Sequence, residues 1–280
     1  MVHIIRVLIS SLILLVRNRE WRRKKIHFVL LYCIYSLKYL IFWKLLRIPL
    51  HEENIFNNKL QFFHYSIFLS LFEDLYLNDE YFVQLPKNPT IIDLGSEVGL
   101  SVFYFKTIYP TARVLAFEPD PESFHLLSNN VKNNKMKKVS CFNAAVANKV
   151  GSTSFYVDNI VPGSLTMSLS PLRQQKKITV HVRRLSSFIK KTVDLLKMDI
   201  EGAELDVLLD LSQKHKLKHI HRLIIEYHHH IDVRLDNLSR LLRVIEINGF
   251  GYQLQAKNSL PFQKEQYQDF LIFAYKKTIL

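Results

Sequence analysis

Cysteine and glycine are scarce in this sequence, and their scarcity limits what the chain can be. Cys33 and Cys141 are the only cysteines among 280 residues, too few for a disulfide framework or a cysteine-based zinc site. A reducing compartment is the simplest interpretation. The chain has seven glycines, so each one is expected where the backbone needs its conformational freedom. The sequence also has no internal repeat and no low-complexity tract.

Acidic residues are nearly missing from the first 50 residues, where Glu20 is the single acid beside ten lysines and arginines. This segment carries +9 of the formal charge of +13, and the other 230 residues carry +4. A nucleic-acid partner is not expected, because such a partner would require basic charge on the folded domain as well. Basic charge confined to one hydrophobic segment instead predicts contact with an anionic membrane surface.

Two apolar stretches lie in this basic segment. Residues 7–16 are shorter than the roughly 20 residues that span a bilayer, and residues 26–46 are long enough but contain Lys38. His27 and Lys38 would share one helix face, which favours helices lying in the membrane plane with basic groups toward the headgroups. A true span is one alternative, although it would carry the following chain to the far side of the membrane. Helices that cover the domain or a dimer interface are the other.

The chain after residue 50 has two parts. Residues 51–89 form a helical lead-in, with a predicted helix ending near Asn78 and prolines before the first strand. In residues 90–280, strands and helices alternate, as in an α/β domain with a doubly wound parallel sheet. The length of 280 residues and the hydrophobic content of 48% suit one such domain with an appendage. The predicted regions are therefore 1–50, 51–89 and 90–280.

The stretch 91–99, IIDLGSEVG, indicates a strand, a tight turn and then a helix over 100–109. Its spacing is Asp93-x-Gly95-x-x-x-Gly99. Both the paired Gly-x-Gly of dinucleotide sites and the Gly-Lys-Ser/Thr of phosphate loops are missing. We therefore expect this turn to hold a nucleotide-like cofactor that carries an amino acid and a ribose.

The second predicted strand, 113–117 (RVLAF), is followed by Glu118. Glu118 comes 19 residues after Gly99, the distance at which an acid at the end of strand two accepts hydrogen bonds from ribose hydroxyls. An ordinary solvated acid is the alternative. Asp120 already has a structural explanation, because it precedes Pro121 as the N-cap of the next helix.

The third predicted strand, 139–142, leads into Asn143 and Ala144. Small residues at this point leave room for a flat ring, and the amide of Asn143 suits the edge of an adenine. A plain turn that the amide stabilises is the alternative interpretation.

Acids follow the fourth predicted strand, 193–198 (VDLLKM). Asp199, Glu201 and Glu204 lie within six residues at the carboxyl end of this strand, where open α/β sheets bind ligands. Glu204 has a simpler explanation, because an acid in the first turn of a helix interacts favourably with the helix dipole.

Three histidines, His228, His229 and His230, follow the fifth predicted strand, 223–226. Neighbouring residues on a strand point to opposite faces, so the three cannot bind one ion, and no metal site is predicted. A single histidine that reaches the reaction centre would serve as a general base.

Taken together, IIDLGSEVG, AFEPDP, NAAVAN and VDLLKMDIEGAE followed by IIEYH resemble the FkbM family of S-adenosylmethionine-dependent methyltransferases. The resemblance covers about residues 62–276 and leaves out the first fifty. It implies an α/β class I methyltransferase fold: a Rossmann-like seven-stranded sheet with helices on both faces and an antiparallel last strand. The N-terminal helices would be an extension. One position departs from the family, which usually has Ala-Asn where Ser96-Glu97 stands.

The resemblance also implies cofactor-binding roles for Asp93, Gly95 and Gly99 at the methionine part, Glu118 at the ribose diol, Asn143 with Ala144 at the adenine, and Glu201 near the sulfonium. Asp199 would lie beside the sulfonium and the acceptor. We expect Asp199 and His228 to converge there, with His228 as the base near neutral pH and Asp199 orienting it or the substrate.

Methyl transfer to a hydroxyl is the activity that the resemblance implies. Combined with the basic N-terminus, it predicts O-methylation of a sugar or glycan-type acceptor by a cytoplasmic protein attached peripherally to the inner face of a membrane. N-methylation, or O-methylation of a soluble metabolite, is one alternative. A cofactor-binding membrane adaptor without turnover is another, and the acids at 118, 199 and 201 count against it.

Overall fold

A computed structural model describes residues 19–158, 175–228, 237–256 and 269–279. The chain divides into two compact units, Met1–Gln84 and Leu85–Leu280. The single boundary after Gln84 differs from the boundaries expected at 50 and 89. The difference arises because the chain on both sides of residue 50 contributes to one core.

The described part of the N-terminal unit, from residue 19, contains two α-helices and a β-hairpin. Helix α1 spans Arg19–Lys38 and continues as a π-helical segment, Tyr39–Leu45. Strands β1 (Glu52–Ile55) and β2 (Asn58–Gln61) pair antiparallel, helix α2 spans Tyr65–Phe72, and a second π-helical segment spans Glu73–Leu77. The hairpin was not predicted, because one of the two buried positions of β1 is occupied by a charged residue, Glu53.

Aromatic side chains form the core of this unit. Phe28 and Tyr35 of α1, with Phe68, Phe72 and Tyr76, are each 2% exposed or less. Phe28 packs edge-on against Tyr76 and Tyr35 against Phe72, with ring centroids 4.9 and 5.2 Å apart. Such pairs contribute about 0.5–1.5 kcal/mol each beyond the area they bury. Helix α1 is therefore part of a folded core rather than a separate element.

Two lysines of α1 pair with acids inside the same unit. Lys25 bonds to Asp79, and Lys38 Nζ donates to both carboxylate oxygens of Glu53, at 2.9 and 2.8 Å. Tyr65 Oη donates a further hydrogen bond to Glu53, at 2.8 Å. This finding corrects the expectation that Lys38 turns toward lipid headgroups. Its acidic partner belongs to the hairpin that was not predicted.

The second unit is built on a seven-stranded sheet. In spatial order its strands are β11 (Phe250–Ala256), β12 (Asp269–Lys276), β10 (Ile220–His228), β9 (Val193–Met198), β3 (Thr90–Leu94), β4 (Arg113–Phe117) and β5 (Val139–Phe142). Neighbours from β10 to β5 are parallel, and β12 is antiparallel to β10 and β11. The predicted α/β class I methyltransferase fold is confirmed. Its topological switch point lies between β3 and β9, where ligands bind in such sheets.

The strands are connected by helices α3 (Leu100–Ile108), α4 (Pro121–Asn133), α5 (Glu204–Gln213) and α6 (Leu238–Ile247). Helices α5 and α6 bury Leu208 and Ile245 in one cluster with Leu196 and Leu223 of the central strands. The central strands are nearly continuous apolar runs, as expected when both faces of a parallel sheet are covered.

Strand β10 is longer than the predicted 223–226. It continues to His228, because that residue still pairs with Asp269 of β12. His228 is therefore fixed on a strand rather than in the loop that follows. His229 and His230 lie outside the described residues.

A smaller sheet of three strands, β6 (Ala145–Val146), β8 (Gln175–Arg183) and β7 (Gly151–Asp158), follows β5 in the chain. Strand β8 pairs parallel with β6 and antiparallel with β7. Phe155, Val180 and Val182 give this sheet its own small core.

Candidate active site

The turn after β3 brings the backbone of Gly95 against the end of β9. Gly95 has a φ of +74°, and a Cβ at this position would lie 1.9 Å from Asp199 O. No other residue fits there. The amides of Gly95 and Ser96 both donate to Phe117 O at 3.0 Å. The turn therefore ties together the carboxyl ends of β3, β4 and β9.

Helix α3 begins after the second glycine of the motif. Gly99 is its N-cap with a φ of +99°, and a Cβ there would lie 2.8 Å from Leu127 Cδ1. Glu97, between the two glycines, also has a left-handed φ of +49°, which costs a non-glycine residue about 1–2 kcal/mol. Its amide donates to Glu118 Oε2 at 2.9 Å, and this bond helps to hold the strained turn.

Glu118 lies at the end of β4 with both carboxylate oxygens hydrogen-bonded. Oε1 accepts from the amide of Asp120 at 2.8 Å, and Oε2 accepts from the amide of Glu97. The residue is 4% exposed. Asp120 caps α4 by accepting from the amide of Ser123 at 2.8 Å, as expected from the sequence. Glu118 thus organises the loop predicted to bind ribose, and the ribose contact itself stays a prediction.

Asn143 holds this loop from the end of β5. Its side-chain amide donates to Glu118 O at 2.9 Å and to Pro119 O at 3.1 Å. The turn-stabilising interpretation therefore accounts for the amide group, whose two hydrogens are both used. Ala144, next in the chain, is 1% exposed, and its place beside an adenine stays a prediction.

Asp93 is held near the end of β3 by partners within the protein. Its side chain is fully buried, with Oδ2 accepting from Ser101 Oγ at 2.6 Å and Oδ1 lying 3.5 Å from Lys197 Nζ. The carboxylate anchors α3 and a buried lysine. The expected place of Asp93 at the methionine part of the cofactor stays a prediction.

Lys197 is that buried lysine, and it joins β3 to β9. Its Nζ donates to Gly95 O at 2.8 Å and to Leu94 O at 3.2 Å. It also lies 3.5 Å from Asp199 Oδ2, the same distance as from Asp93. Burial alone would lower the pKa of Lys197, but Asp93 and Asp199 raise it. The ammonium therefore stays charged and compensates both acids.

The loop 199–203 after β9 is held by Glu204, the first residue of α5. The Glu204 carboxylate accepts from the amide of Ile200 at 3.3 Å and from the amide of Gly202 at 3.1 Å. Within this loop Glu201 has a left-handed φ of +52°. Glu204 thus holds the loop in place, a role beyond the favourable helix-dipole position expected from the sequence.

His228 meets three carboxylates at the end of β10. Its Nε2 lies 3.4 Å from Glu201 Oε1 and 3.9 Å from Asp199 Oδ1, and its Nδ1 lies 3.7 Å from Glu204 Oε1. The imidazole is 11% exposed, so water reaches little of it. Asp199 and His228 lie together at the carboxyl edge of the sheet, and Glu201 touches His228 most closely.

Three acids at this edge bind protons unusually strongly. Burial raises the pKa of Glu97 to about 8, helped by the charges of Glu118 and Asp199. Burial likewise raises the pKa of Glu118 and of Glu201 to about 8. A nearby cation favours the ionised form of such groups. This side of the site therefore suits a positively charged ligand.

The carboxylates around His228 favour its protonated form. Burial alone would lower its pKa, but Glu204, Glu201 and Asp199 raise it well above the ordinary value. A base role for His228 therefore becomes more favourable as the pH rises, and the role itself stays a prediction.

Asp199, Glu226 and His228 are the group of described residues with the composition of a metal site. One ligand atom from each lies within 4.8 Å of the others, and carboxylates and imidazole bind divalent ions. The ammonium of Lys197 and the proton on His228 compete with a metal for these groups. The sequence drew attention to three consecutive histidines, and Glu226 was not among the predicted site residues.

Lys197 and Glu204 also have site roles that the sequence argument did not assign. Lys197 could have been recognised from the sequence, because it is a charged residue in the otherwise apolar end of the strand VDLLKM. A buried charge requires a partner, so a lysine at this position indicates an acid nearby. The signal for Glu204 was weaker, because its partners are backbone amides that no residue pattern identifies.

The described residues fit S-adenosylmethionine. This cofactor carries a sulfonium and an α-ammonium, and the site offers Glu97, Glu118 and Glu201, acids that a cation would stabilise in their ionised form. Gly95 lets the turn approach β9 without a Cβ. Glu118 ends the strand where ribose hydroxyls bind in this class of sheet.

The chain is similar to several known proteins. The chain is 30% identical over 166 residues to methyltransferase sdnD of Sordaria araneosa, covering 47% of this chain and 63% of that protein. It is 27% identical over 139 residues to 2-O-methyltransferase NoeI of Sinorhizobium fredii, covering 43% of this chain and 56% of that protein. A crystal structure of methyltransferase FkbM from Methylobacillus flagellatus aligns with 75% of this chain and 53% of that chain, with a TM-score of 0.47 and 17% identity.

The matched part of the chain spans less than two thirds of both curated relatives. The model of the methyltransferase FkbM domain matches residues 93–254, more than half of the chain. This range contains the glycine turn, Glu118, the loop after β9 and His228. The chain therefore belongs to the FkbM family of methyltransferases, and its cofactor is S-adenosylmethionine.

Proposed function

We propose that this protein transfers a methyl group from S-adenosylmethionine to a hydroxyl of a sugar or glycan-type acceptor at a membrane surface. The observation that carries the proposal is the meeting of His228 with Asp199 and Glu201 at the end of β10. Lys197 connects this cluster to the glycine turn, since its Nζ contacts both Gly95 O and Asp199. The relative NoeI, named as a 2-O-methyltransferase, supports oxygen as the acceptor atom.

The cofactor supplies an electrophilic methyl group, so the protein has to orient an oxygen and remove its proton. As the carbon–oxygen bond forms and the carbon–sulfur bond breaks, the hydroxyl proton passes to Nε2 of neutral His228. Glu201, 3.4 Å from that nitrogen, stabilises the imidazolium that results. Asp199 accepts a hydrogen bond from an adjacent hydroxyl. A sugar ring offers two neighbouring hydroxyls in this arrangement, which favours a sugar over a simple alcohol.

The test is transfer of labelled methyl from the cofactor to a panel of cell-envelope glycans, with His228→Gln and Asp199→Asn. Loss of the base should lower kcat by about 10²–10⁴-fold. His221→Gln is a matched control: His221 Nδ1 lies 3.5 Å from Asp194 Oδ1, near the opposite ends of the same two strands. The control should keep native turnover. Native turnover in His228→Gln would overturn the assignment of the base.

A panel widened to amines and soluble metabolites separates the alternatives. Transfer to amines alone would establish N-methylation. Transfer to soluble metabolites alone would exclude a glycan as the acceptor. Cofactor binding by calorimetry without transfer to any acceptor would favour an adaptor. The membrane location is a separate part of the proposal, which concerns the N-terminal unit.

A further inference from the structure

An apolar stripe runs along one face of α1 and its π-helical continuation. It consists of Ile26, Leu30, Ile34, Leu37 and Ile41, spaced three or four residues apart and 37–57% exposed. Among the described residues, ten of the thirteen exposed large apolar side chains lie between residues 26 and 48. Soluble proteins rarely leave a continuous apolar surface of this kind uncovered, so it indicates a binding surface.

The opposite face of α1 is already in use. Phe28, Tyr32 and Tyr35 are 1–2% exposed and belong to the core of the N-terminal unit. Rotation of α1 cannot bury the stripe, because it would expose the aromatic side chains that already form the core. Its occupant has to come from outside the described part of this unit.

The contacts of the unit argue against a membrane span. By length and composition, Lys24–Leu45 is the one helix of the described residues able to cross a bilayer. Crossing would carry the Lys25–Asp79 and Lys38–Glu53 pairs into hydrocarbon. It would also take in the two-stranded sheet β1–β2, whose outer edges lack strand partners in that sheet. Charged groups and open sheet edges are both excluded from the lipid-exposed core of a bilayer.

The charges at the two ends of the stripe favour a lipid surface over a second copy of the chain as its partner. Lys24 lies exposed at one end of the stripe, and Lys44 and Arg47 lie exposed at the other end, about 30 Å away at the rise of a helix. Pairing of two stripes from two copies would bring basic ends together in either direction, and like charges repel. Anionic lipid headgroups instead complement both ends at once.

We propose that the N-terminal unit docks in the plane of an anionic membrane, with the apolar stripe at the boundary between headgroups and acyl chains. Helices that bind in this way place their apolar side about 5–10 Å into that boundary. The inference rests on the proposed action at a membrane surface but not on the methyl-transfer chemistry. It gives the catalytic unit a fixed tether to a lipid surface.

The test is flotation of the full-length protein with vesicles of phosphatidylcholine alone and of equimolar phosphatidylcholine and phosphatidylglycerol, without cofactor or acceptor. The native protein should float with the anionic vesicles. Leu30→Gln/Leu37→Gln should bind at least about tenfold more weakly, because two apolar contacts are lost. Its control is Ile247→Gln, which changes a side chain 71% exposed on the other unit.

A second pair of variants tests the charge. Lys44→Gln/Arg47→Gln should bind about 25-fold more weakly at low salt, from about fivefold for each charge. Lys190→Gln/Lys191→Gln is the matched control, because it removes two exposed charges from the other unit. Both controls should float like the native protein.

Four results would overturn the docking proposal. The native protein could stay with the buffer, or the Leu30→Gln/Leu37→Gln variant could float undiminished. Light scattering could show a dimer that this variant abolishes, which would assign the stripe to a second copy. Alkaline carbonate could fail to extract the protein from cell membranes, which would indicate a transmembrane helix instead of surface docking. Asp199→Asn should float normally, so failure of docking is distinguishable from failure of catalysis.

Discussion

Lys197 Nζ lies 3.5 Å from Asp93 Oδ1, and neither side chain is more than 3% exposed. The pair connects the first strand of the sheet to β9, directly beneath the glycine turn. Because Asp199 lies on the other side of the same ammonium, one cation serves two acids. The glycine turn after β3 therefore depends on the charge of Lys197, which belongs to β9.

Lys197→Met keeps most of the side-chain volume but leaves Asp93 buried without a cation. Breaking a buried pair in this way typically costs about 3–5 kcal/mol in the free energy of unfolding, which urea denaturation would measure. The double variant Lys197→Met/Asp93→Asn should recover part of the loss, because the uncompensated charge is gone. A double variant as unstable as the single one would show that the pairing with Asp93 does not matter.

Gly95→Ala should weaken cofactor binding at least about tenfold, because the glycine turn has to move away from β9. The added Cβ would lie 1.9 Å from Asp199 O, whereas a Cβ at Gly151, where φ is +132°, meets nothing within 4 Å. Gly151→Ala is therefore the control for backbone strain without crowding. Calorimetric titration with S-adenosylmethionine gives both affinities, and equal affinities would contradict the crowding argument.

The cofactor-free protein should lose stability as the pH rises from about 5 to about 8. The pKa of Glu97 and that of Glu118 are raised from the usual 4.5 to about 8 in the folded state. Folding therefore binds protons in this window, and the stabilisation present at low pH disappears as these groups ionise. Thermal unfolding across this range measures the slope, which Glu97→Gln should reduce.

The increase in Tm caused by S-adenosylmethionine should grow over the same window, because its sulfonium compensates the ionised acids. S-adenosylhomocysteine has a neutral sulfur and should show less growth. An identical pH dependence for the two ligands would mean that the acids do not face the sulfonium.

Turnover should rise with pH into the alkaline range, because His228 has to lose its proton before it accepts another. The carboxylate of Glu201 is one of those that raise the pKa of His228. Glu201→Gln should therefore move the rise in kcat to lower pH. Asp206→Asn, which changes an exposed acid in the first turn of α5, should leave the profile unchanged. If the native protein and both variants had the same pH profile, His228 would not be the group that accepts the proton.

Strands and glycines of the second unit were predictable because their causes are local. The predicted strand 113–117 coincides with β4, and Gly95 and Gly99 have the positive φ angles that their spacing suggested. Apolar runs bounded by turn residues define such strands whatever the distant contacts are. The end of β10 was not predictable in this way, since His228 stays in the sheet through its pairing with Asp269, 41 positions later.

Side-chain roles were less predictable because they depend on partners far away in the chain. Asp93 has the sequence position of a ligand-binding acid, but Ser101 and Lys197 occupy its carboxylate. His228 was expected to act as the base near neutral pH, and carboxylates of the β9–α5 segment raise its pKa. In the first unit, the partner of Lys38 is Glu53 in a hairpin whose strand contains a buried acid. Each of these outcomes depends on a pair of residues rather than on a pattern.

Helix α1 has two faces that cannot be separated by shortening the chain. One face carries the apolar stripe, and the other supplies Phe28 and Tyr35 to the core and Lys38 to Glu53. A protein that starts at residue 50 would leave Glu53 without its lysine and would uncover the rings of Phe72 and Tyr76. Helix α1 thus cannot be deleted without loss of this core. Polar substitutions along the stripe, unlike a deletion, would change the exposed face and leave the core intact.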